Sequence, residues 1–281
     1  MIIWLASYPK SGNTWVRSFL SAYYYSNDGK FDFKLLEKIK QFPSKDFLNQ
    51  KLRSVDEAAE SWLIAQKKIN EQNEFCFLKT HNIYGAYKGK NFTTPDFTLG
   101  AIYIVRDPRN VLTSLMNHYS LTEDDALKMI NSIYRNLIDE NNYDDYSSYS
   151  FISSWANNYN SWKMSKNINK LIVKYEDLEK HASETFLKIV NFTDNLLNKK
   201  NNLNQDKFNN AIETTRFEIL KKKEEEEGFE EAVYSRELGK NKKFFNLGKQ
   251  NNYKKLLKPK TLKIIEQLFK KEMRELGYLK Y

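Results

Sequence analysis

Cysteine and histidine are scarce in this sequence, and their scarcity excludes several kinds of site. One cysteine, Cys76, in 281 residues excludes a disulfide framework and a cysteine-rich metal site. The three histidines are scattered, and no HExxH or CxxC pattern occurs, so no metal site is expected. This cysteine usage favours a reducing compartment, and we expect a cytoplasmic protein.

Long apolar runs and flexible linkers are missing as well. No run approaches the ~20 apolar residues that a membrane-spanning helix needs. The opening MIIWLASYPK has no basic head, and its apolar run of about six residues is too short for a secretion signal. No internal repeat and no Pro/Gly/Ser-rich linker divides the chain. We therefore expect one domain over residues 1–281, without a membrane span and large enough to bury a sizeable core.

Positive charge is in excess. Lys and Arg total 45 against 36 Asp and Glu, a net charge of +9, which favours an anionic partner: nucleic acid, acidic lipid or a polyanionic small molecule. The lysines are scattered among acidic residues and form no recognisable nucleic-acid module, so specific nucleic-acid binding is not expected. Arginine is rare, so the close pair Arg106 and Arg109 is notable, because the planar guanidinium suits phosphate.

Apolar patterning predicts alternating strands and helices. Buried strands are predicted over residues 2–7, 75–79, 99–105 and 171–175. Helices are predicted to begin at Asn13 and at Pro108, the latter capped by Asp107, and an amphipathic helix is predicted from Pro259 through Met273. This alternation predicts an α/β fold with a central parallel sheet flanked by helices. Residues 139–150 and 221–231 are both expected to be mobile. The second is a charge run, which is most often a solvated helix face or a loop.

The segment SYPKSGNTW, residues 7–15, places a turn between a strand and a helix. Backbone amides at a helix start bind phosphate, and Lys10 adds a positive charge. The hydroxyls of Ser11 and Thr14 can donate to the same oxygens. The segment is not a Walker A loop, which reads GxxxxGK[ST]. The alternative is an ordinary strand-to-helix turn with a solvated lysine.

Two further segments place charged side chains after predicted strands, where open α/β sheets bind ligands. In IYIVRDPRNVLTS, Arg106 and Ser114 can hold an anion, unless Arg106 pairs with a carboxylate such as Asp107 and Ser114 only packs. In FLKTH, His81 can act as a base with Lys79 beside it, as an anionic transition state requires. The alternative for His81 is a structural role, which we expect for His118 and His181.

These segments and KYEDL, residues 174–178, occur in an order that resembles the cytosolic type of PAPS-dependent sulfotransferase. The resemblance covers nearly the whole chain, from Ser7 to about Lys254. It implies a P-loop-like strand-turn-helix nucleotide site and no metal. It also implies transfer of a sulfonate group from 3′-phosphoadenosine 5′-phosphosulfate (PAPS) to a hydroxyl or amine of a small-molecule or saccharide acceptor.

The resemblance assigns roles by position. His81 would be the base, Lys79 would assist at the sulfonate, and Lys10 would neutralise the leaving phosphate. Arg106 and Ser114 would hold the 3′-phosphate. The other residues that the resemblance places at the nucleotide are the 5′-phosphate loop Lys10, Ser11, Gly12, Asn13 and Thr14, the adenine contacts Trp15 and Tyr175, and Thr215, Phe217, Gly248 and Lys249.

One segment departs from the family pattern. The family usually closes the site with RKGxxGDWK, whereas residues 246–254 read NLGKQNNYK, so Asn246 and Leu247 replace the Arg-Lys pair. Lys242, Lys243 or Lys249 could substitute without the bidentate geometry of arginine. We therefore expect weaker donor binding than the other motifs suggest.

The acceptor pocket is expected beside His81, shaped by residues 82–97, 31–33 and 139–150. The acidic cluster in the last of these would disfavour a polyanionic acceptor if it faces the site. Two alternatives to sulfonate transfer are a P-loop nucleotide kinase, which needs a Walker A loop and a metal-binding carboxylate, and a non-catalytic nucleotide-binding relative. The sequence leaves the acceptor and the oligomeric state open.

Overall fold

Strands and helices alternate along the chain, as predicted. The computed structural model describes residues 1–48, 50–72, 75–138, 144–199, 203–232, 234–235 and 240–280. The strands are β1 (Ile2–Ser7), β2 (Cys76–Thr80), β3 (Ala86–Tyr87), β4 (Lys90–Asn91), β5 (Thr98–Val105), β6 (Asn136–Leu137), β7 (Ser150–Phe151), β8 (Lys170–Lys174), β9 (Tyr234–Ser235) and β10 (Lys240–Asn241). The helices are α1 (Asn13–Tyr25), α2 (Val55–Gln72), α3 (Pro108–Tyr119), α4 (Glu123–Asn131), α5 (Trp155–Lys163), α6 (Tyr175–Lys180), α7 (Ala182–Leu196), α8 (Gln205–Thr214), α9 (Phe217–Glu227), α10 (Tyr253–Leu256), α11 (Pro259–Leu268) and α12 (Lys270–Glu275).

A parallel sheet lies at the centre of the fold. Within the described residues it has four strands in the order β2-β1-β5-β8. Every residue of β1 is buried, as its unbroken apolar run IIWLAS predicts for an inner strand of a parallel sheet. In the register of β1 with β2, Ala6 pairs with Thr80, so these two strands end at the same edge. The predicted α/β fold with a central parallel sheet is confirmed.

The described residues group into two compact units. One comprises Met1–Asn13, Lys38–Val105 and Asn131–Asn202 and contains the parallel sheet. The other comprises Thr14–Glu37, Arg106–Ile130 and Leu203–Tyr281 and contains α3, α4 and the C-terminal helices. The single domain expected over residues 1–281 stays a prediction.

The strand predicted at residues 171–175 differs from the observed β8 in two ways. Only Val173 of β8 is buried, because β8 is the edge strand of the sheet. Tyr175 lies outside the strand and is the first residue of α6. The pattern LIVKY shows the apolar run but carries no information about which strand lies at an edge.

The prediction of one C-terminal helix is corrected, and the charged stretch forms a helix, one of the two structures expected for it. The amphipathic helix predicted from Pro259 through Met273 is two helices, α11 and α12, separated at the buried Phe269, whose φ of −115° and ψ of 23° are not helical. The charged stretch 221–231 is largely helix α9, and Glu224 on it is buried, where it accepts hydrogen bonds from the backbone amides of Phe244 and Phe245. Residues 139–143 lie outside the described part of the chain. The following residues form a 3-10 turn over Tyr146–Ser148 and the strand β7.

The described part of the chain contains no helix with the length and apolar character needed to cross a membrane.

Candidate active site

The turn between β1 and α1 has an unusual backbone. Lys10 has a φ of 67° and Gly12 a φ of 99°, both in the left-handed region. For a residue with a side chain this conformation costs about 1–2 kcal/mol. Backbone strain of this kind is concentrated at functional sites, where it is part of the binding geometry. The predicted strand-turn-helix is confirmed, and it is not an ordinary relaxed turn.

Gly12 lies against the ring of Tyr175. A Cβ atom at Gly12 would be 2.3 Å from Cδ2 of Tyr175, closer than any side chain allows. Tyr175 is buried and begins α6. Only glycine allows both the positive φ and this close approach. The structure therefore brings together two of the residues predicted to bind nucleotide.

Two polar side chains of this turn are buried with unsatisfied atoms. Ser11 is 1% exposed, and its Oγ has no hydrogen-bond partner; the Oδ1 atom of Asn13 is also buried without one. An unsatisfied buried hydroxyl costs about 1–3 kcal/mol. The donor that Ser11 leaves unused is the kind that a phosphate oxygen accepts from. The amide of Asn13 instead fixes the turn, because its Nδ2 donates to the carbonyl of Leu5 (3.0 Å) and to Oγ of Ser7 (3.1 Å).

His81 is fixed by the residue at the end of β1. Its Nδ1 lies 2.8 Å from the carbonyl oxygen of Ser7 and 3.3 Å from the Ser7 hydroxyl. A carbonyl only accepts, so Nδ1 carries the proton and Nε2 is the nitrogen with the lone pair. The backbone carbonyl of His81 accepts a hydrogen bond of 2.9 Å from the fully buried Asn158. His81 is thus held in the tautomer that a general base needs.

Lys79 supplies a cation two residues before His81. It lies in β2 and is only 5% exposed. Its backbone is fixed on both sides, since its amide donates to the carbonyl of Lys40 (2.9 Å) and its carbonyl accepts from Phe42 (2.8 Å). The predicted pairing of a base with a neighbouring cation is therefore anchored at the carboxyl end of β2.

The first two turns of α1 bind a carboxylate of the protein itself. Arg17 Nη1 lies 2.6 Å from Oε1 of Glu231, and Thr14 Oγ1 donates to Oε2 of the same group over 3.4 Å. A helix N-terminus favours an anion through its dipole. The sequence motif identified Thr14 as an anion ligand but not Arg17, although Arg17 lies one turn after Thr14 on the same helix. No local pattern could identify Glu231 as their partner, because it lies 214 residues from Arg17. Trp15 is partly exposed on this turn.

Helix α3 begins as predicted, with Asp107 as its cap and Pro108 at its first position. The Asp107 carboxylate accepts from the amide of Arg109 (3.0 Å) and from its guanidinium (2.6 Å), which also pairs with Glu266 and stacks 4.1 Å from the ring of Tyr253. Burial opposes the Arg109 cation, but its hydrogen bonds to Asp107 and Glu266 outweigh burial and raise the Arg109 pKa further. Arg109 is therefore a structural residue.

Arg106 directly follows β5 and is 7% exposed, at the strand end where it was predicted. Ser114 is half-buried in α3. The roles of both residues in holding a 3′-phosphate stay predictions.

The segment that departs from the family pattern runs along α3. Asn246 donates to Oδ1 of Asn117 (2.9 Å), and Asn251 donates to the carbonyl of Asn110 (3.0 Å). The two contacts lie on either side of Ser114 in the helix. Asn246 and Leu247 therefore stand beside the helix that carries a predicted phosphate ligand, but they bring no charge to it.

The three lysines considered as substitutes have different positions. Lys242 donates to Ser120 and to the carbonyl of Asn117 (3.3 Å) at the C-terminal end of α3. Lys243 pairs with Glu225 at 2.5 Å. The side chain of Lys249 lies outside the described part of the structure, although its backbone belongs to the 3-10 turn Gly248–Gln250.

Three other predicted nucleotide residues lie in the same unit as Arg106. Gly248 has a φ of 49°, and a Cβ atom there would be 2.3 Å from the Phe217 ring, so these two residues are in contact. Thr215 is fully buried, and its hydroxyl donates to the carbonyl of Ala211 (2.6 Å). The Thr215 hydroxyl therefore forms its hydrogen bond within the C-terminal end of α8. The motif TTRFEIL did not indicate this bond.

In the part of the chain that the structure describes, no group of three or more His, Cys, Asp or Glu side chains is placed to hold a metal ion.

Solved structures share this fold. The chain is similar to retinol dehydratase in complex with androsterone and inactive cofactor PAP, with 17% identity, a TM-score of 0.62, and coverage of 100% of this chain and 82% of that one. It is also similar to mouse sulfotransferase SULT7A1 complexed with PAP, with 19% identity, a TM-score of 0.59, and coverage of 97% and 84%. At these identities the likeness establishes the fold. No curated protein matches the chain in sequence.

A family model establishes the membership. The model described as Sulfotransferase domain matches residues 2–277, nearly the whole chain. The prediction of a PAPS-dependent sulfotransferase is thereby confirmed at the level of the family, and a P-loop kinase is not favoured. The chain belongs to the sulfotransferase domain family.

Proposed function

We propose that this protein transfers a sulfonate group from PAPS to a hydroxyl or amine of a small-molecule or saccharide acceptor, with His81 as the general base. The observation that carries the proposal is the hydrogen bond of 2.8 Å between His81 Nδ1 and the carbonyl of Ser7. It joins the base to the residue at which the strained phosphate-binding turn begins. A base and an anion site are thus linked through one residue.

The turn at residues 7–15 fits the 5′-phosphosulfate. Ser11 Oγ is buried with an unused donor, and Gly12 keeps the backbone free of a side chain at the point of closest approach. Lys10 and Thr14 complete the set, with Trp15 and Tyr175 as adenine contacts. Arg106 and Ser114 hold the 3′-phosphate in this proposal, and Thr215, Phe217, Gly248 and Lys249 lie on the nucleotide side.

The chemistry required of the protein is a proton transfer and charge stabilisation. The acceptor oxygen forms a bond to sulfur as the bond from sulfur to the 5′-phosphate oxygen breaks, and the phosphate leaves with that electron pair as adenosine 3′,5′-bisphosphate (PAP). Nε2 of His81 takes the acceptor proton, because Nδ1 is committed to Ser7. Lys10 and Lys79 stabilise the negative charge on the leaving phosphate and the sulfonate.

Small-molecule acceptors are consistent with the neighbouring proteins, since structures of retinol dehydratase contain androsterone or retinol. The acceptor lies beside His81 in this proposal, against residues 82–84, whose backbone is tied to Phe151 of β7 (Ile83 amide to Phe151 carbonyl, 2.9 Å). A saccharide hydroxyl is the second acceptor class proposed.

Replacement of His81 tests the proposal. With labelled PAPS and an acceptor panel, His81→Ala is expected to lose about 10²- to 10⁴-fold in turnover. PAP binding by calorimetry is expected to change little in the same variant. His181→Ala is the matched control, because His181 is exposed at the start of α7. Equal turnover in the two variants would remove His81 from the mechanism. PAP binding without turnover in the wild type would instead indicate a non-catalytic relative.

A further inference from the structure

Arg135 is a buried cation that no sequence motif identifies. It lies just before β6 and is 8% exposed. Its Nη1 donates to the hydroxyl of Tyr8, and its guanidinium carbon lies 5.2 Å from the centroid of the Tyr8 ring. Its Nη2 is buried and has no hydrogen-bond partner. Half of the guanidinium fork is therefore unused.

Among the residues that the structure describes, no carboxylate forms an ion pair with Arg135, unlike the buried Arg17 and Arg109, which pair with Glu231 and Asp107. Arginine cannot shed its proton in a protein, so burial leaves a full positive charge. A buried charge is normally paired, and a phenol with its ring offsets only part of the cost. A bound anion would supply the missing partner.

The first described acidic residues that follow Arg135 in the chain, Asp144 and Asp145, contact other residues. Asp144 pairs with Lys51 on the surface. Asp145 accepts hydrogen bonds from the backbone amides of Ser147 (2.9 Å) and Leu52 (3.3 Å). Both carboxylates therefore contact the segment 51–52, and neither forms an ion pair with Arg135 within the described residues.

The backbone of Arg135 is held firmly. Its carbonyl accepts hydrogen bonds from the amides of Ile152 (2.9 Å) and Ser153 (3.0 Å). The next residue, Asn136, pairs with Phe151 in the β6–β7 ladder. A guanidinium on a fixed backbone with a fixed first hydrogen bond is preorganised for a planar anion.

Two independent routes connect Arg135 to the catalytic base. Through its side chain it contacts Tyr8, which directly follows Ser7, the residue that holds Nδ1 of His81. Through its backbone it contacts Ile152. The side-chain amide of Asn158 donates both to the carbonyl of Ile152 and to the carbonyl of His81, over 2.9 Å each. The guanidinium and the imidazole are therefore linked through both the side chain and the backbone of Arg135.

We propose that Arg135 binds an anionic group, a carboxylate, phosphate or sulfate, on the acceptor whose hydroxyl is presented to His81. The proposal rests on the proposed function and adds an acceptor class to it: hydroxylated organic acids or monoesters of phosphate or sulfate. The sulfonate of PAPS itself is the other possible source of such an anion, and the experiment separates the two.

The test compares acceptors that differ only in charge. The probes are phenols and alcohols that carry a carboxylate, such as 4-hydroxyphenylacetate, each paired with its neutral methyl ester. Wild-type protein loaded with PAP is expected to bind the acid at least about tenfold more tightly than the ester in calorimetry, because a charged hydrogen-bonded pair is formed. The same preference is expected in kcat/KM with PAPS.

Variants then assign the preference to one side chain. Arg135→Gln is expected to abolish the preference for the acid and leave PAP binding unchanged, and Arg135→Lys to restore part of it. Arg53→Gln is the control, because Arg53 is an exposed arginine in the same unit. Equal binding of acid and ester by the wild type overturns the proposal, whether or not Arg135→Gln folds. Weaker binding of PAPS but not of PAP in Arg135→Gln would assign the guanidinium to the sulfonate and overturn the acceptor class.

These experiments distinguish the proposal of sulfonate transfer from the proposal of an anion site at Arg135. Absence of turnover with every acceptor would count against sulfonate transfer, whereas the binding preference for the acid on PAP-loaded protein would still support the anion site. Turnover with neutral acceptors only would support sulfonate transfer and contradict the role of Arg135.

Discussion

Single residues in the turn between β1 and α1 determine whether it can form. Lys10 and Gly12 both have positive φ, and at Gly12 an added Cβ atom would also be 2.3 Å from the ring of Tyr175. The motif KSGNTW predicts the turn because glycine is required by local geometry. The contact with Tyr175 could not be predicted, because it joins residues 163 positions apart whose proximity depends on the order of strands in the sheet.

Gly12→Ala is expected to destabilise the fold more than an alanine at another glycine of positive φ. Gly89 is the matched control, with a φ of 80° and no atom within 4 Å of an added Cβ. Backbone strain should cost each variant about 1 kcal/mol or more. Gly12→Ala should lose roughly 1–3 kcal/mol beyond that, because the Tyr175 ring must move. Equal free energies of unfolding in urea for the two variants would contradict the observed contact.

Cys76 is expected to be unreactive in the folded protein. Burial raises the pKa of its thiol to about 11, and only the thiolate reacts. At pH 8, reaction with Ellman's reagent should be at least ~100-fold slower in the folded than in the urea-unfolded chain. In the unfolded chain the pKa of the thiol is about 8.5, so the unfolded chain loses the thiol proton at a lower pH than the folded protein. The contribution of the protonated thiol to the free energy of unfolding is therefore complete below pH ~8.5 and is lost as the pH rises towards 11.

The Cys76→Ser variant is the control for that experiment, since it contains no thiol and should give no signal in either state. Comparable rates for folded and unfolded wild type at pH 8 would show that the thiol is accessible and its pKa ordinary.

At the scale of elements, the first turn of α1 and the segment 228–232 are coupled by charge. Glu231 places its carboxylate on Arg17 and Thr14. Thr14 is also a proposed ligand of the 5′-phosphate, so a protein carboxylate and a nucleotide phosphate would share one donor. Two anions at one donor repel each other, so the nucleotide must compete with Glu231.

Glu231→Gln is expected to bind PAP about 3- to 10-fold more tightly than the wild type, because the competing charge is removed. The same variant should be less stable by about 1 kcal/mol, a value kept small because Glu231 is 29% exposed. Glu230→Gln is the control, with the same charge change at an exposed neighbour. Calorimetry measures the affinity, and identical affinities in the two variants would show that Glu231 does not compete with the nucleotide.

The elements also show what the sequence could predict. The start of α3 was predictable, because the Asp-Pro pair specifies a cap and a first position locally. The break at Phe269 and the exposure of β8 were not, because both depend on what packs against the element. Arg109 looked like a phosphate ligand by residue type, but it pairs with Asp107, two residues before it, and with Glu266, 157 residues away. Only the second partner is beyond the reach of a local sequence pattern.

At the scale of the whole molecule, the motifs predicted the fold, which is confirmed, and His81 as the base, which stays a prediction. The partners of the buried charges had to be observed. His81 and the turn at residues 7–15 are both local patterns at strand ends. The Tyr8–Arg135 contact joins positions 127 residues apart, and no local pattern distinguishes a buried arginine from a solvated one. The net charge of +9 is compatible with an anionic nucleotide, although it does not identify one.

Calorimetric titration of PAP into the wild type and into Lys10→Ala is the most direct test of the central claim, that the turn after β1 binds this nucleotide. We expect one site per chain in the wild type, with a dissociation constant in the micromolar range because Asn246 and Leu247 bring no charge to the closing segment. We expect at least ~10-fold weaker binding in Lys10→Ala, and no comparable binding of ATP. No heat from PAP, or the same affinity in both proteins, would contradict it.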